Sequence, residues 1–286
     1  MRSWERSLKR RNRSARTIES YAYSFHRISE WADGASILDL DRADIEDFID
    51  DRMEEVAAAT VRQECKHLKL LWKWLLKEEL IVIDPWKGIE LPQATDNPPR
   101  VPTVQEVAAM IKACSGKEYN DRRDKACLML LATLGSPRLS ELTAMTVSDV
   151  DFSSDLISIP AGKTFGRSLP ASDATWRAFE LFIRARAAHR LADSPMLWLG
   201  LKGPLGRNGI AQIINRRARQ AGITWKVHPH SFRHYVTDRA DQENLPERLL
   251  EPLMGWMPGS QQSRVYGRSS RARRAIEAAR AVAERI

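Results

Sequence analysis

The stretch HSFRHYVTDRA, residues 230–240, decides how the rest of the chain is read. Helical spacing is expected over Ser231–Gln242, and it sets His230 and Arg233 three positions apart on one face. A paired imidazole and guanidinium suit chemistry at a phosphodiester. Such chemistry must neutralise charge on a phosphorane-like transition state, with metal ions or with Arg, Lys and His. The metal route needs clustered carboxylates. The chain's acidic run, Ile37–Glu55, carries nine Asp+Glu against two Lys+Arg, but they are spread around helix faces like a solvated surface. No metal site and no cofactor are expected, and the cationic route is the one to follow.

Four further segments extend it. Arg138 follows Gly135-Ser136-Pro137 and opens RLSEL, residues 138–142. Lys163 lies in Gly162–Gly166, the expected tip of a β-hairpin. Trp256 follows Gly255, and Tyr266 sits between Arg264 and Arg268. Each is weak alone, since an arginine in a basic helical protein is usually a surface charge. The ordered series Arg, Lys, His-x-x-Arg, Trp, Tyr is specific. Tyr21, Tyr23, Tyr119 and Tyr235 are rival nucleophiles, but only Tyr266 comes last in that order and in a polar setting.

Composition bounds the alternatives. The chain has 286 residues, 43% of them hydrophobic, which supports one large or two modest folded domains and argues against disorder. No apolar run approaches the ~18–20 residues of a membrane span. The basic N-terminus lacks the apolar core of a secretory signal, so the chain is expected to remain in the cytoplasm. Cys65, Cys114 and Cys127 are irregularly spaced with no CxxC pair. They read as buried thiols in a reducing compartment, not as a disulfide scaffold or zinc site. The formal charge is +8 and unevenly placed. Residues 1–95 hold 16 Lys+Arg against 18 Asp+Glu, whereas residues 96–286 hold 29 against 19. A polyanionic partner is expected to meet mainly the second region.

Helical stripes fill the first region: Ile18, Tyr21, Phe25 and Ile28 after a Ser14 cap; Ile45, Phe48, Ile49 and Met53 after Asp41; Val61, Cys65, Leu68, Leu71, Trp72 and Leu75 after Thr60. Residues 1–13 precede them as a basic arm holding Arg10, Arg11 and Arg13. Four prolines in Leu91–Pro102 mark a linker, placed at 96–102. A capping box, Thr103-Val104-Gln105-Glu106, opens a second domain over 103–286. That domain is expected to be mostly helical. Its helices are placed at Ala126–Leu134, Leu139–Met145, Ala174–Arg190, Gly209–Gln220, Ser231–Gln242 and Pro246–Met254. Short strands are expected at Val150–Phe152, Leu156–Ile159 and Ser168–Leu169. The tail Arg271–Ile286 has Ala275, Ile276, Ala279 and Val282 on one helical face.

These segments carry a resemblance. RLSEL, GKTFGRSLP (162–170), HSFRHYVTDRA and LMGWMPGSQQSRVY (253–266) make residues 103–268 resemble the catalytic domain of the tyrosine recombinases, the phage integrase family. Residues 1–95 resemble the SAM-like helical core-binding domain that precedes it, so the likeness covers nearly the whole chain. The wording of the last boxes is similar to integrases of actinobacterial phages. The implied fold class is mainly α: a helical N-terminal domain and a mixed α+β catalytic domain with a small β-sheet. The implied activity is site-specific recombination of double-stranded DNA at short core attachment sites, through a 3′-phosphotyrosine on Tyr266. Arg138 and Arg233 would hold the phosphate and Lys163 would protonate the leaving 5′-oxygen. His230 would assist proton transfer or hydrogen-bond the phosphate.

Trp256 stands where the family more often has His; its indole N–H can donate one hydrogen bond but cannot shuttle a proton. Glu141 and His234 would support the site, and Arg167, Lys202 and Arg207 would touch DNA phosphates. Ser136 replaces a glycine common two places before the first arginine, with Gly135 one earlier. The resemblance also implies a homotetramer on DNA joined through the C-terminal helix, a possible directionality factor, and a bacterial host cytoplasm. With the first helix starting near residue 14, no arm-binding domain is expected, which implies a simple integrase. The alternatives are a host or transposon tyrosine recombinase or resolvase, a type IB topoisomerase, and a catalytically silent DNA-binding homologue.

Overall fold

The computed structural model describes residues 2–93, 99–154, 156–161 and 166–256. The chain divides between Asn97 and Pro98 into two compact units. The linker expected at 96–102 falls partly outside the described residues.

The described residues of the first unit form four helices: α1 (Arg2–Arg10), α2 (Ala15–Trp31), α3 (Arg42–Glu55) and α4 (Ala58–Lys77). Helix α1 corrects the expected arm. Trp4 and Leu8, one helical turn apart, form an apolar stripe that is buried, and Trp4 stacks on Tyr21 at 5.6 Å between ring centroids. Burying that stripe folds residues 2–10 into the unit. Arg10, Arg11 and Arg13 remain exposed at the end of α1 and in the turn after it. Ser14 caps α2 by accepting from the Thr17 N–H, and Asp41 and Asp44 form a reciprocal capping box at α3.

The inward face of α3 departs from expectation at one position. Met53 is 42% exposed, and its neighbour Arg52 is 4% exposed. A buried arginine requires an acid partner, and α4 supplies Glu64: Arg52 Nε and Nη2 donate to its two carboxylate oxygens at 3.1 and 2.9 Å. A bidentate pair of this kind satisfies both charges and leaves the methionine to solvent.

The second unit begins at α5 (Val104–Lys112), opened by the reciprocal Thr103–Glu106 capping box, and continues with α6 (Tyr119–Ala132) and α7 (Leu139–Ala144). A three-stranded antiparallel sheet follows, from β1 (Val150–Asp151), β2 (Leu156–Ile159) and β3 (Arg167–Pro170), in the order β1-β2-β3. Ile157 lies opposite both Val150 and Leu169, and Ile159 lies opposite Arg167. Helices α8 (Asp173–Ala187), α9 (Arg207–Gln220), α10 (Pro229–Gln242) and α11 (Glu247–Met254) follow. The fold class is the expected one, mainly helical with a small sheet. The core joins Leu128 and Leu131 of α6, Phe179 and Phe182 of α8, Trp198, Ile210 and Ile214 of α9, and Phe232 of α10.

Helix α6 starts seven positions before the expected Ala126, because its first two turns are buried through charge. Asp124 is fully buried and accepts from Arg123 of its own helix and from Arg216 and Arg217 of α9. Arg217 also reaches Asp121 at 2.8 Å. Apolar periodicity does not reveal a segment held in this way. All three cysteines are buried, and burial raises the thiols of Cys65 and Cys114 to about 11, so they stay protonated. No helix among the described residues is long and apolar enough to cross a membrane.

Candidate active site

Two backbone features build the site. The first is the turn before α7. Gly135 has φ +92°, and a Cβ there would stand 2.8 Å from the Leu253 carbonyl oxygen, so this position requires glycine. The turn closes with the Ser136 N–H on the Thr133 carbonyl at 2.9 Å. The second is the end of α11. Gly255 adopts the left-handed conformation at φ +61°, and the Trp256 N–H returns to the Glu251 carbonyl at 2.9 Å. This cap brings three successive carbonyls, of Leu253, Met254 and Gly255, to a helix C-terminus, where the partial negative charge favours cations.

Each of those carbonyls accepts from a different arginine. Arg167 Nε donates to the Leu253 oxygen at 2.6 Å. Arg233 Nη2 donates to the Met254 oxygen at 2.7 Å. Arg138 Nη2 donates to the Gly255 oxygen at 3.0 Å. Arg233, from α10, is 1% exposed and also donates through Nη1 to the Ser136 carbonyl. Arg138, just before α7, is the more open, with 24% of its side chain exposed. Residues more than ninety positions apart in sequence are thus held at one point.

Glu141 ties the arginines together. Its Oε1 accepts from Arg138 Nη1 at 2.9 Å, and its Oε2 from the Arg138 backbone N–H at 2.7 Å and from Arg167 Nη2 at 3.0 Å. Burial alone would raise this carboxyl's pKa. The hydrogen bonds from Arg167 and Arg138 outweigh it and hold the pKa below the usual carboxylate range, so Glu141 is an anion.

His230 lies exposed in the first turn of α10, with its ring 5.3 Å from that of His234 and nearly perpendicular to it. Loss of hydration on its packed side and the positive charges of Arg233 and Arg138 lower its pKa. It is therefore a neutral imidazole near pH 7, able to accept or donate a proton. His234 is buried, and desolvation with the nearby His230 and Arg233 takes it down to about 4.

Several sequence expectations find a definite place. Trp256 is buried against Val236, Ala240, Leu250 and Met254. Lys202 is exposed in the turn closed by the Gly200 N–H on the Gly203 carbonyl, and Arg207 is exposed at the first position of α9. Arg167 is corrected. Its side chain is only 7% exposed, and besides Leu253 and Glu141 it donates to the Gly135 carbonyl at 3.0 Å. Those acceptors hold its side chain inside the unit rather than on the exposed surface. Lys163, Tyr266 and the helix expected at Arg271–Ile286 lie outside the described residues. Among the described residues, no group of three or more His, Cys, Asp or Glu could hold a metal ion. Sequence reasoning missed the role of the α11 carbonyls; the signal was Gly255 directly after a helical stretch, a left-handed cap.

Comparison with known proteins gives a consistent picture. Residues 100–273 match the model described as "Phage integrase family", and residues 1–81 match "Phage integrase, N-terminal SAM-like domain". Among curated relatives, tyrosine recombinase XerC of Bacillus subtilis (strain 168) is 24% identical over 254 residues, covering 86% of this chain and 83% of the relative. Tyrosine recombinase XerD of Bifidobacterium longum (strain NCC 2705) is 23% identical over 256 residues, covering 84% and 82%. Three solved structures share the fold. XerH site-specific recombinase bound to a palindromic difH substrate has a TM-score of 0.79 at 17% identity, covering 96% of this chain and 82% of that one. The Tn1549 transposon integrase with transposon right end DNA has 0.77 at 16%, covering 98% and 97%. A lambda integrase tetramer bound to a Holliday junction has 0.72 at 16%, covering 92% and 75%.

Proposed function

The chain belongs to the phage integrase family, and from that premise we propose that it cleaves and rejoins double-stranded DNA at short core attachment sites through a phosphotyrosine on Tyr266. It is a tyrosine-type site-specific recombinase, an enzyme that transfers DNA strands. In the proposed reaction the Tyr266 oxygen attacks the scissile phosphorus and loses its proton. The bond to the 5′-oxygen breaks, leaving a 3′-phosphotyrosine and a 5′-hydroxyl. Lys163 protonates that leaving oxygen, and neutral His230 takes up the tyrosine proton or hydrogen-bonds the phosphate. Arg138 and Arg233 neutralise the non-bridging oxygens, which planar bidentate donors suit. Attack of a new 5′-hydroxyl on the phosphotyrosine reverses these steps and needs no external energy source, because the phosphodiester bond is exchanged rather than hydrolysed.

One observation carries the reading: Arg138 and Arg233 are anchored on adjacent carbonyls, of Gly255 and Met254, at the helix end from which the chain runs on toward Tyr266. Preorganised cations cost no reorganisation when charge develops. The buried Trp256 fits a packing role beside that anchor. The exposed Arg10, Arg11, Arg13, Lys202 and Arg207 are the proposed phosphate contacts. A tetramer on DNA, joined through the tail helix, is the proposed assembly, supported by the tetrameric lambda integrase structure.

The phage-integrase form is our first reading. The curated relatives named XerC and XerD favour a second, a host recombinase acting at one kind of site. The test is a nicked suicide duplex carrying the core site, drawn from phage and host DNA, in EDTA. A covalent protein–DNA adduct that disappears in Tyr266→Phe is the expected result. An adduct that persists moves the nucleophile elsewhere, and tight binding to a verified site with no adduct removes the catalytic reading. Joining of two different sites marks the integrase form; exchange between identical host sites marks the second reading.

A further inference from the structure

We propose that Arg167 is a positioning residue for Arg138, acting through Glu141 and the C-terminal end of α11. The inference rests on the reading that Arg138 holds the scissile phosphate.

The geometry gives Arg167 three tasks at once. Its Nε fixes the Leu253 carbonyl, next in chain to the two carbonyls that anchor Arg233 and Arg138. One Nη2 reaches both the Gly135 carbonyl, in the turn that delivers Arg138, and Glu141 Oε2. Arg167 thereby links β3, the turn before α7 and the end of α11. It also opens the strand that pairs with β2, and the segment between those strands contains Lys163.

Charge explains why a second arginine is needed. Glu141 is 3% exposed, so its anion must be balanced within the protein. Were Arg138 its sole partner, the two would form a neutral pair, and the guanidinium would be held to the carboxylate rather than offered to a phosphate. With Arg167 added, Arg138, Glu141 and Arg167 together carry one net positive charge. The buried Arg167 saturates the carboxylate's far oxygen, and the more open Arg138 keeps the surplus. The low pKa of Glu141, to which Arg167 contributes the largest favourable interaction, agrees with this division. Gly255 reports the same crowding, because a Cβ there would lie 2.9 Å from Arg167 Nη1 and 3.3 Å from Arg138 Nη1.

The experiment is a double-mutant cycle on adduct formation with the suicide duplex, in the full-length protein, using Arg167→Met, Arg167→Lys, Glu141→Gln and the Arg167→Met/Glu141→Gln pair. Loss of one charge-assisted hydrogen bond predicts that Arg167→Met slows adduct formation by about tenfold or more at saturating DNA. DNA affinity should stay within about twofold, because the side chain is buried on protein acceptors. Arg167→Lys should restore part of the rate, and Arg167→Met should slow the Glu141→Gln protein by a smaller factor than it slows wild type. A wild-type rate in Arg167→Met, or effects that multiply in the pair, overturns the proposal. Titration of the Glu141 carboxylate by 13C NMR gives a readout independent of cleavage. Its pKa should rise in Arg167→Met, and in Arg167→Lys if the Met variant does not fold; an unmoved titration overturns the proposal. If wild-type protein forms no adduct on a verified site, the recombinase reading fails by itself, while the titration still decides the role of Arg167.

Discussion

His234 shows what a single buried group does to the whole. Its folded pKa is about 4, against an ordinary histidine value of 6.5, because desolvation and the neighbouring His230 and Arg233 disfavour its charged form. Above pH 6.5 the residue is neutral in both folded and unfolded chains and adds no pH dependence. Between 6.5 and 4 the unfolded chain binds a proton that the folded one refuses, so stability falls with falling pH. Below 4 both forms are protonated and the loss levels off. Over that window the effect amounts to about 3 kcal/mol. Denaturant unfolding from pH 4 to 7 should show a flatter dependence in His234→Asn than in wild type. Parallel curves would remove His234 as the source. At this scale the sequence was a good guide to chemistry and a poor one to location. Arg233 of HSFRHYVTDRA and Arg138 of RLSEL do come together on adjacent carbonyls, but Arg167, expected on the surface, lies in the interior. Nothing in the spacing of GKTFGRSLP distinguishes an arginine facing DNA from one facing Glu141. That choice is made by the carbonyls of a helix eighty residues on.

Helix α11 is the element through which those choices pass. Its sequence, ERLLEPLM, was legible as a helix, and so was its stop at Gly255. Its use of the last three carbonyls as arginine acceptors was not, because backbone groups leave no trace in composition. The left-handed cap makes that use possible, and it predicts the cost of changing it. Gly255→Ala incurs about 1 kcal/mol for an alanine in the left-handed region. It also places a methyl group against Arg167 Nη1 and Arg138 Nη1. Adduct formation should therefore fall by about tenfold or more while thermal stability drops by only a few degrees, since displaced cations cost more in the transition state than in the fold. Equal activity in Gly255→Ala and wild type would mean that the anchor is not strained by the added carbon. Helix α1 gives the opposite lesson. The charges of its sequence, RSWERSLKR, suggested an arm, and two apolar residues one turn apart were enough to fold it into a core.

For the whole molecule, the two largest apolar clusters of the described residues match two regions of opposite charge balance. One lies wholly within residues 4–89 and the other within 107–232, beside a smaller cluster at 236–256. The proline-rich stretch between them was the clearest boundary in the sequence, because composition changes there even where periodicity does not. The first region has a slight excess of acid and the second an excess of ten basic residues. Attraction to DNA over distance is therefore expected to arise mainly in the second, with the acidic exposed face of α3 contributing none. This can be separated from local contact by salt. Each phosphate neutralised by a cation steepens the fall of log K with log salt by about 0.9. If Lys202 and Arg207 both lie on phosphates, Lys202→Ala with Arg207→Ala should make the slope shallower by about 1.8, on cognate and non-cognate duplexes alike. The paired change Asp47→Asn with Asp50→Asn on α3 should strengthen binding slightly at low salt and not at high salt, steepening the slope by much less than the ~0.9 of one phosphate contact. A slope unaffected by losing Lys202 and Arg207 would move the phosphate contacts to other cations of the second unit. An equal change on non-cognate DNA is the decisive part, because a base-reading residue would weaken the cognate complex alone.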